Sequence, residues 1–278
     1  MIKEQQIVEQ QLTRIIDIFH STEGNIRPHF MLTGPSGCGK SHVVKNLALR
    51  AQLNYIEVNA AQLTKEGTAG NSLSKALAPL AEAGGRMTLC FVDEFDKLFV
   101  SGNNNSQLAH ETTNGVQNEF LRVLESDTAS VFGDYGKYNE VGVSNVLFVF
   151  AGAFNNEKNM DLDKLRTIGI KTEFLGRVSL IYNLEKLSLD SMYQALIHSP
   201  LLKSYAQLFP DVNVKEAIKV IMVAVTDMHE NNSLGIRLIN TLLNQYYIND
   251  GKLDHNEVRK TTFQKSLSFK PDTVGHIE

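Results

Sequence analysis

The chain has 278 residues, of which 42% are hydrophobic and 21% are charged. These values are typical of a folded globular protein and exclude an intrinsically disordered chain. Its 27 basic and 31 acidic residues leave a net charge of −4, so composition gives no general electrostatic reason to bind nucleic acid, although it leaves room for a local basic patch.

The first elements are a helix and a strand. Apolar residues at helical spacing, from Ile7 to Phe19, predict an amphipathic helix over residues 4–20. After the turn STEGN, the apolar run Phe30 to Thr33 predicts the first β-strand.

A glycine-rich loop, GPSGCGKS, follows this strand and leads into a segment of helical spacing up to about Ala51. Glycine backbones and the amino end of a helix both favour bound phosphate groups. The pattern GxxxxGKS predicts that Lys40 reaches the phosphates of a nucleoside triphosphate and that Ser41 is a ligand of Mg²⁺. The alternative is an ordinary strand-to-helix turn. The residues expected to bind ATP are Gly34, Pro35, Ser36, Gly37, Cys38, Gly39, Lys40 and Ser41.

Acidic residues end the third predicted strand. Residues 54–58 predict a second strand and residues 71–83 a helix, and the apolar run 87–92 then leads into Asp93 and Glu94. Asp93 is the candidate for holding Mg²⁺, and Glu94 for orienting or deprotonating the attacking water. The alternative is the start of a helix with acids that favour its dipole.

Strands and helices alternate through the next part of the chain. Two more buried strands are predicted, at residues 146–151 and 178–184, with a helix over 116–124. Residues 101–111 are interpreted as a mobile loop and 126–145 as irregular. The alternation predicts an α/β domain with a five-stranded parallel sheet whose ligands lie at the carboxyl ends of the strands.

The remaining segments predict helices only. They cover residues 188–198, 200–208, 213–230 and 234–249, and Asn213 with Glu216 forms a capping pair for the third. We therefore expect a large α/β domain over residues 1–184, a small helical lid domain over 185–264, and a flexible tail over 265–278.

The sequence shows no pattern typical of a disulfide framework, a signal peptide or a membrane-spanning segment. Cys38 and Cys90 do not suggest a disulfide framework or a metal site. The polar N-terminal residues do not resemble a signal peptide, and no segment approaches the roughly 18 apolar residues of a membrane span. We expect a cytoplasmic protein with no membrane partner.

Six segments together resemble AAA+ ATPases, and within them the ClpX and HslU unfoldases, over about residues 1–250. These segments are GPSGCGKS, similar to the Walker A loop; LCFVDEFDKL, similar to the Walker B strand; NGVQNEFLRVLES; VLFVFAGAF, similar to the sensor 1 strand; EFLGRV; and LGIRLI. The resemblance implies the P-loop fold of AAA+ proteins with a helical lid, and Mg²⁺-dependent ATP hydrolysis.

The resemblance also assigns roles to single residues. Asn155 would be sensor 1, which holds the attacking water or the γ phosphate. Arg177 would be an arginine finger that acts in trans on a neighbouring subunit, which implies a homohexamer; the alternative is a surface arginine in an ion pair. Arg237 would be the sensor 2 cation of the lid. Ile2 would lie near the adenine, although the glycine that usually follows in the family is absent here.

The sequence departs from the unfoldases in the channel. Their first pore loop carries an aromatic and an aliphatic residue between glycines, whereas here Thr68 and Ala69 lie between Gly67 and Gly70. These smaller side chains would grip a polypeptide weakly. Lys137 and Tyr138 lie in another segment that could contact a substrate or be a solvated loop.

Elements for zinc and protease binding are also missing. The sequence has no metal-ligand cysteine spacing. Only 17 residues separate Asn155 from Glu173, which leaves no space for the long loop that docks ClpX on its peptidase. A dedicated protease is therefore not expected.

The favoured hypothesis is an oligomeric AAA+ ATPase that remodels or translocates a protein without degrading it. One alternative is a nucleic-acid-associated loader or DNA-coating filament in which ATP controls assembly. Another is a scaffold that keeps the nucleotide as a structural cofactor.

Overall fold

A computed structural model describes residues 6–65, 67, 70–99 and 107–253. Ile2, Thr68, Ala69 and the expected tail at 265–278 lie outside the described residues.

The described chain divides into two compact units. The first takes residues of Met1–Ser191 together with the short segment Ser233–Ile236, and the second takes residues of Met192–Asn232 and Arg237–Glu278. The expected domain division at residue 184 stays a prediction.

The first unit is built on a parallel β-sheet of five strands in the order β2-β3-β6-β1-β7. The strands of this sheet are β1 (Phe30–Thr33), β2 (Asn54–Asn59), β3 (Thr88–Asp93), β6 (Val146–Gly152) and β7 (Leu180–Asn183). The predicted parallel sheet is confirmed. Because β6 lies between β3 and β1, the segment that follows β6 emerges between the glycine-rich loop and the acidic end of β3.

Helices follow or precede most of these strands. The helices of the first unit are α1 (Gln6–Ser21), α2 (Lys40–Arg50), α3 (Leu73–Ala76), α4 (Pro79–Ala83), α5 (Gln107–Glu125), α6 (Leu162–Thr167) and α7 (Thr172–Arg177).

Alternate residues of the sheet face two separate hydrophobic cores. Phe148 and Phe150 of β6 face the core formed with α5 and α7, and Leu147 and Val149 face the core formed with α1 and α2. The two-sided burial explains why the strands read as continuous apolar runs in the sequence.

An antiparallel hairpin lies within residues 126–145, for which the sequence predicts irregular structure. Its strands are β4 (Thr128–Phe132) and β5 (Tyr138–Gly142), paired from Thr128 opposite Gly142 to Phe132 opposite Tyr138. Ala129 and Val131 are buried, whereas Thr128 and Ser130 are exposed and Phe132 is half-buried. The prediction of an irregular segment at 126–145 is therefore wrong.

Two further predictions are corrected. The helix expected over 71–83 is divided into α3 and α4, because Pro79 lacks the N–H that a continuous helix would require and instead begins α4. The loop expected over 101–111 is partly helical, since α5 includes residues from Gln107 onward.

The second unit is helical, as predicted. Its helices are α8 (Leu189–Ile197), which begins in the first unit, α9 (Pro200–Leu208), α10 (Val214–Met228) and α11 (Arg237–Ile248). Asn213 Oδ1 accepts hydrogen bonds from the backbone N–H groups of Lys215 and Glu216, so the predicted cap on α10 is confirmed. No helix in the described ranges has both the length and the apolar composition needed to cross a membrane.

Candidate nucleotide site

The glycine-rich loop joins β1 to α2 through three glycines with positive φ. These angles are +143° at Gly34, +71° at Gly37 and +96° at Gly39, which is the N-cap of α2. L-residues rarely adopt such angles. At Gly34 a Cβ would also collide with the carbonyl oxygen of Leu184. The loop therefore has the backbone shape and the exposed helix terminus that suit bound phosphates.

Lys40 is the charged group of this loop. Its ammonium donates hydrogen bonds to the carbonyl oxygens of Gly34 (2.6 Å) and Pro35 (3.1 Å), and the residue is only 9% exposed. A buried ammonium needs acceptors. Phosphate oxygens entering the loop could replace these carbonyls, so the contact with Lys40 would be gained without leaving its charge unpaired.

Cys38 lies in the same loop and its thiol is not poised for ionisation. Burial raises the pKa of Cys38, and the positive charge of Lys40 opposes this shift only in part. A neutral buried thiol is a packing group rather than a reactive one.

Ser41 and Asp93 meet across the sheet. The hydroxyl of Ser41 lies 3.4 Å from Asp93 Oδ2, although one residue begins α2 and the other ends β3. A hydroxyl and a carboxylate fit Mg²⁺, which takes few protein ligands and keeps phosphate oxygens and water for the rest. The described part of the chain contains no cluster of three or more His, Cys, Asp or Glu side chains that could hold a metal. When bound here, Mg²⁺ would neutralise phosphate charge.

Glu94 is displayed by a strained turn after β3. Its φ is +55°, the side chain is exposed, and its backbone N–H donates to Asp93 Oδ1 at 2.8 Å. The next residue, Phe95, is fully buried and packs on Phe150 and Phe174. The aromatic contacts fix the turn, so an exposed carboxylate is presented beside the Ser41–Asp93 pair.

Asn155 follows β6 in a second strained turn. The backbone is left-handed at Phe154, Asn155 and Asn156, with φ of +46°, +55° and +58°. Asn155 itself is exposed. Since β6 lies between β1 and β3, this turn comes at the same edge of the sheet as the phosphate loop and Glu94.

Two polar residues behind the site, the buried Asp96 and the half-buried Asn183, were not found from the sequence. Asp96 is 1% exposed and accepts hydrogen bonds from the backbone N–H groups of Ala153 and Phe154. Asn183, at the end of β7, accepts from the hydroxyl of Thr33 at 2.8 Å. The available signal was a polar side chain adjoining a buried apolar run, in FDKL for Asp96 and in LIYN for Asn183.

The segment Ser233–Ile236 packs directly on the phosphate loop within the first unit. The backbone N–H of Ile236 donates to the carbonyl of Gly37 at 3.1 Å, and a Cβ on Gly235 would lie 2.5 Å from that oxygen. Arg237 is the next residue in the chain; it begins α11 and is exposed. Its expected role as sensor 2 stays a prediction.

Arg177 ends α7 and lies at the protein surface. Its Nε and Nη2 lie 3.1 and 2.9 Å from one carboxylate oxygen of Glu125, and the two side chains are 55% and 47% exposed. The ion pair that was considered as the alternative role is therefore present within the chain. It leaves the finger role open, because an exposed pair of this kind is worth only about 0–1 kcal/mol and is readily exchanged.

Comparison with models of known protein families identifies the family of this chain. The family model described as "ATPase family associated with various cellular activities (AAA)" matches residues 30–168, which are half of the chain. The chain belongs to this family. The expected AAA+ ATPase fold and ATP hydrolysis are thereby confirmed at the level of the family.

Two curated proteins are similar to a larger part of this chain than the family model covers. The "ATP-dependent Clp protease ATP-binding subunit ClpX" of Treponema denticola is 28% identical over 212 residues, which are 72% of this chain and 49% of the relative. The protein of the same name from Borrelia duttonii is 24% identical over 231 residues, 68% of this chain and 54% of the relative. The chain thus spans about half of the length of these curated relatives.

Proposed function

We propose that this AAA ATPase assembles into a homohexameric ring and uses ATP hydrolysis to remodel or translocate a protein substrate without an attached protease. The observation that carries the oligomeric part is the location of Arg177. The phosphate loop, Glu94 and Asn155 follow the carboxyl ends of β1, β3 and β6, whereas Arg177 precedes the amino end of β7.

This location favours action on another subunit. In a parallel sheet the carboxyl ends of all strands lie at one edge and the amino ends at the other. Arg177 therefore lies next to the amino-terminal edge of the sheet, whereas the nucleotide site of its own subunit lies at the carboxyl-terminal edge. An exposed guanidinium there is suited to the phosphates held by a neighbouring copy.

Within each subunit we propose the remaining roles from the resemblance to AAA+ ATPases together with the positions of the residues in the chain. Residues Gly34 to Ser41 hold the ATP phosphates, and Ser41 with Asp93 holds Mg²⁺. Glu94 orients or deprotonates the attacking water, Asn155 holds that water or the γ phosphate, and Arg237 takes the sensor 2 role.

Complementation between two inactive variants tests the oligomer. Glu94→Gln removes the carboxylate for the water but keeps Arg177, and Arg177→Ala removes the finger but keeps its own site. We expect each variant alone to lose at least about 10³-fold in kcat. An equimolar mixture should regain measurable hydrolysis, because Arg177 of one subunit serves the intact site of the next.

Arg166→Ala is the matched control. Arg166 is also an exposed arginine in an ion pair, with Asp163 at 2.7 Å, and its removal should leave kcat within about twofold. The trans assignment is wrong if Arg177→Ala hydrolyses ATP at the wild-type rate, or if the mixture stays as inactive as its components.

The hairpin tip is the proposed contact with a protein substrate. Tyr135 is 99% exposed and Tyr138 is 52% exposed, and exposed Lys137 lies between them. Aromatic side chains bury large apolar area on contact with a polypeptide. They could therefore supply the grip that Thr68 and Ala69 lack.

Lys75 contacts both this hairpin and Gly70, the glycine that follows Thr68 and Ala69. Its ammonium lies 5.4 Å from the ring centre of Phe132 in β4 and donates to the carbonyl of Gly70 at 3.1 Å. Lys75 thus connects β4 to Gly70 through two side-chain contacts.

Substitution of both tyrosines tests this contact. Tyr135→Ala with Tyr138→Ala should weaken binding of a fluorescent, chemically unfolded model polypeptide by at least about tenfold in the ATP-bound Glu94→Gln protein. Tyr193→Ala, at a tyrosine that is 40% exposed in α8, should not. Equal binding by all three proteins would remove the hairpin from the substrate site.

A nucleic acid is the second candidate, because the same tip could stack on bases. Aromatic side chains beside positive charge are typical of surfaces that bind single-stranded nucleic acid. This candidate predicts binding to a single-stranded oligonucleotide that weakens as salt increases. Absence of binding at low salt excludes it, and ATP turnover excludes the scaffold hypothesis.

A further inference from the structure

Asp96 is a buried carboxylate that connects the Glu94 turn to the Asn155 turn. It lies in a 3₁₀ turn, Phe95–Leu98, directly after Glu94, and is 1% exposed. Oδ1 accepts a hydrogen bond from Ala153 N–H at 3.3 Å, and Oδ2 accepts one from Phe154 N–H at 3.2 Å. A carboxylate this deeply buried is costly unless such bonds satisfy it.

The backbone around these bonds is adapted to the carboxylate. A Cβ on Gly152 would lie 2.6 Å from Asp96 Oδ1, so only glycine leaves space for the side chain there. The two bonded amides belong to the residues that enter the left-handed run Phe154, Asn155 and Asn156. Each residue in such a conformation costs of order 1 kcal/mol and persists only where its surroundings fix it.

The positive charge of Lys97 offsets part of the negative charge of Asp96. The ammonium of Lys97 lies 3.6 Å from Asp96 Oδ2 and is 48% exposed. It can offset the charge but cannot shape the turn, because it touches neither amide in the described contacts.

We propose that Asp96 is a positioning residue for ATP hydrolysis, which holds the turn after β6 so that Asn155 stands at a fixed place relative to Glu94. The inference rests on the proposed role of Asn155. Asp96 acts through the backbone of residues 153 and 154 and does not touch the nucleotide.

Asp96→Asn is the direct test. The amide keeps the shape of the side chain, but its NH₂ group replaces one acceptor, so a donor faces a backbone N–H. We expect kcat to fall at least about tenfold, while the KM for ATP and the affinity for a fluorescent ADP analogue stay within about twofold. Asp163→Asn, the same change at a carboxylate that is 90% exposed, should leave all three values unaltered.

Gly152→Ala provides a second route to the same effect. The added methyl group would displace both the carboxylate and the Phe154 ring, whose Cε2 lies 2.8 Å from the new Cβ, without removing either, so kcat should fall with little change in ADP affinity. This variant carries the test if Asp96→Asn fails to fold.

A double-mutant cycle with Asn155→Ala decides whether Asp96 acts through Asn155. We expect Asp96→Asn to cost less than about twofold in kcat when Asn155 is already alanine, because the two residues serve one interaction. Losses that multiply would overturn the inference.

The single variants distinguish failure of the positioning role of Asp96 from failure of the sensor 1 role of Asn155. Loss of kcat in Asn155→Ala without loss in Asp96→Asn overturns the positioning role alone. An Asn155→Ala protein with the wild-type rate removes the sensor assignment and the positioning role together.

Discussion

His29 is a buried imidazole at the amino end of β1. Its Nδ1 accepts a hydrogen bond from the backbone N–H of Phe148, and its ring packs edge-on against the Phe148 ring. Burial, with a smaller contribution from the Arg27 charge, lowers the pKa of His29 from 6.5 to about 3. The folded protein therefore holds a neutral imidazole over a range in which the unfolded chain binds a proton.

This difference predicts acid sensitivity. The stability due to neutral His29 is fully present above about pH 6.5 and is lost as the pH falls towards 3, by up to about 1.4 kcal/mol per pH unit. His29→Asn retains an acceptor but cannot protonate, so its free energy of unfolding should change less between pH 6.5 and 4. Urea titrations at several pH values measure this. The exposed His20→Asn variant should behave as wild type, and parallel curves for all three proteins would contradict the prediction.

Ser41 and Asp93 give a prediction for metal removal. If they hold Mg²⁺, Ser41→Ala and Asp93→Asn should each lower the affinity for ATP at least about tenfold when Mg²⁺ is present. In excess chelator, wild type and variants should bind equally, because the contacts of the phosphate loop remain. Calorimetric titration measures both conditions. A variant that weakens binding equally with and without Mg²⁺ has damaged the loop instead.

At the scale of elements, the contact between residues 233–236 and the phosphate loop has a built-in control. Gly235 and Gly84 have almost the same φ, +57° and +59°, but a Cβ on Gly84 would meet no atom closer than 4.0 Å. Gly84→Ala should therefore show only the cost of a left-handed alanine, about 1 kcal/mol. Gly235→Ala should show that cost and also displace Gly37.

ADP binding separates the two effects. We expect at least about tenfold weaker binding in Gly235→Ala, because a displacement near 1 Å is enough to misplace the loop. Binding by Gly84→Ala should equal that of wild type. Equal ADP affinity in both variants would show that residues 233–236 do not support the loop.

The sequence predicted elements with a long or continuous pattern and missed those with a short one. The buried strands β3 and β6 were clear because both faces are apolar. The β4–β5 hairpin was missed because only Ala129 and Val131 point inward from β4, and the glycine-rich turn dominates the local composition. Pro79 was a usable signal for the division of the helix over 71–83.

At the scale of the molecule, the two compact units should respond differently to nucleotide. A ligand that binds only the folded state at 100 times its Kd adds about 2.7 kcal/mol to stability. We expect ADP to slow amide hydrogen exchange in β1, β3 and β6 more than in α10. Lys40→Ala should abolish the effect. Equal protection in all these elements would indicate that both units open together.

In the candidate site, as among the helices and strands, some residues could be predicted from the sequence and others could not. The phosphate loop, Asp93 and Glu94 form local patterns, so spacing alone located them. Asp96 and Asn183 act on segments more than 20 residues away in the chain. Asp96 bonds two backbone amides, and Asn183 bonds the backbone N–H of Met160 as well as the Thr33 hydroxyl. Backbone partners carry no sequence signal. Such contacts can be found only once the topology is known.

The left-handed turn at Asn155 sets two selective pressures against each other. Glycine adopts this backbone at no steric cost, and the entropy that it adds to the unfolded chain offsets part of this gain, so Asn155→Gly should stabilise the fold by at most about 0.5 kcal/mol. The same change deletes the amide that we assign to the reaction. Directed evolution for thermal tolerance alone should therefore drift towards a more durable and slower enzyme at this position, whereas screening for turnover should restore asparagine.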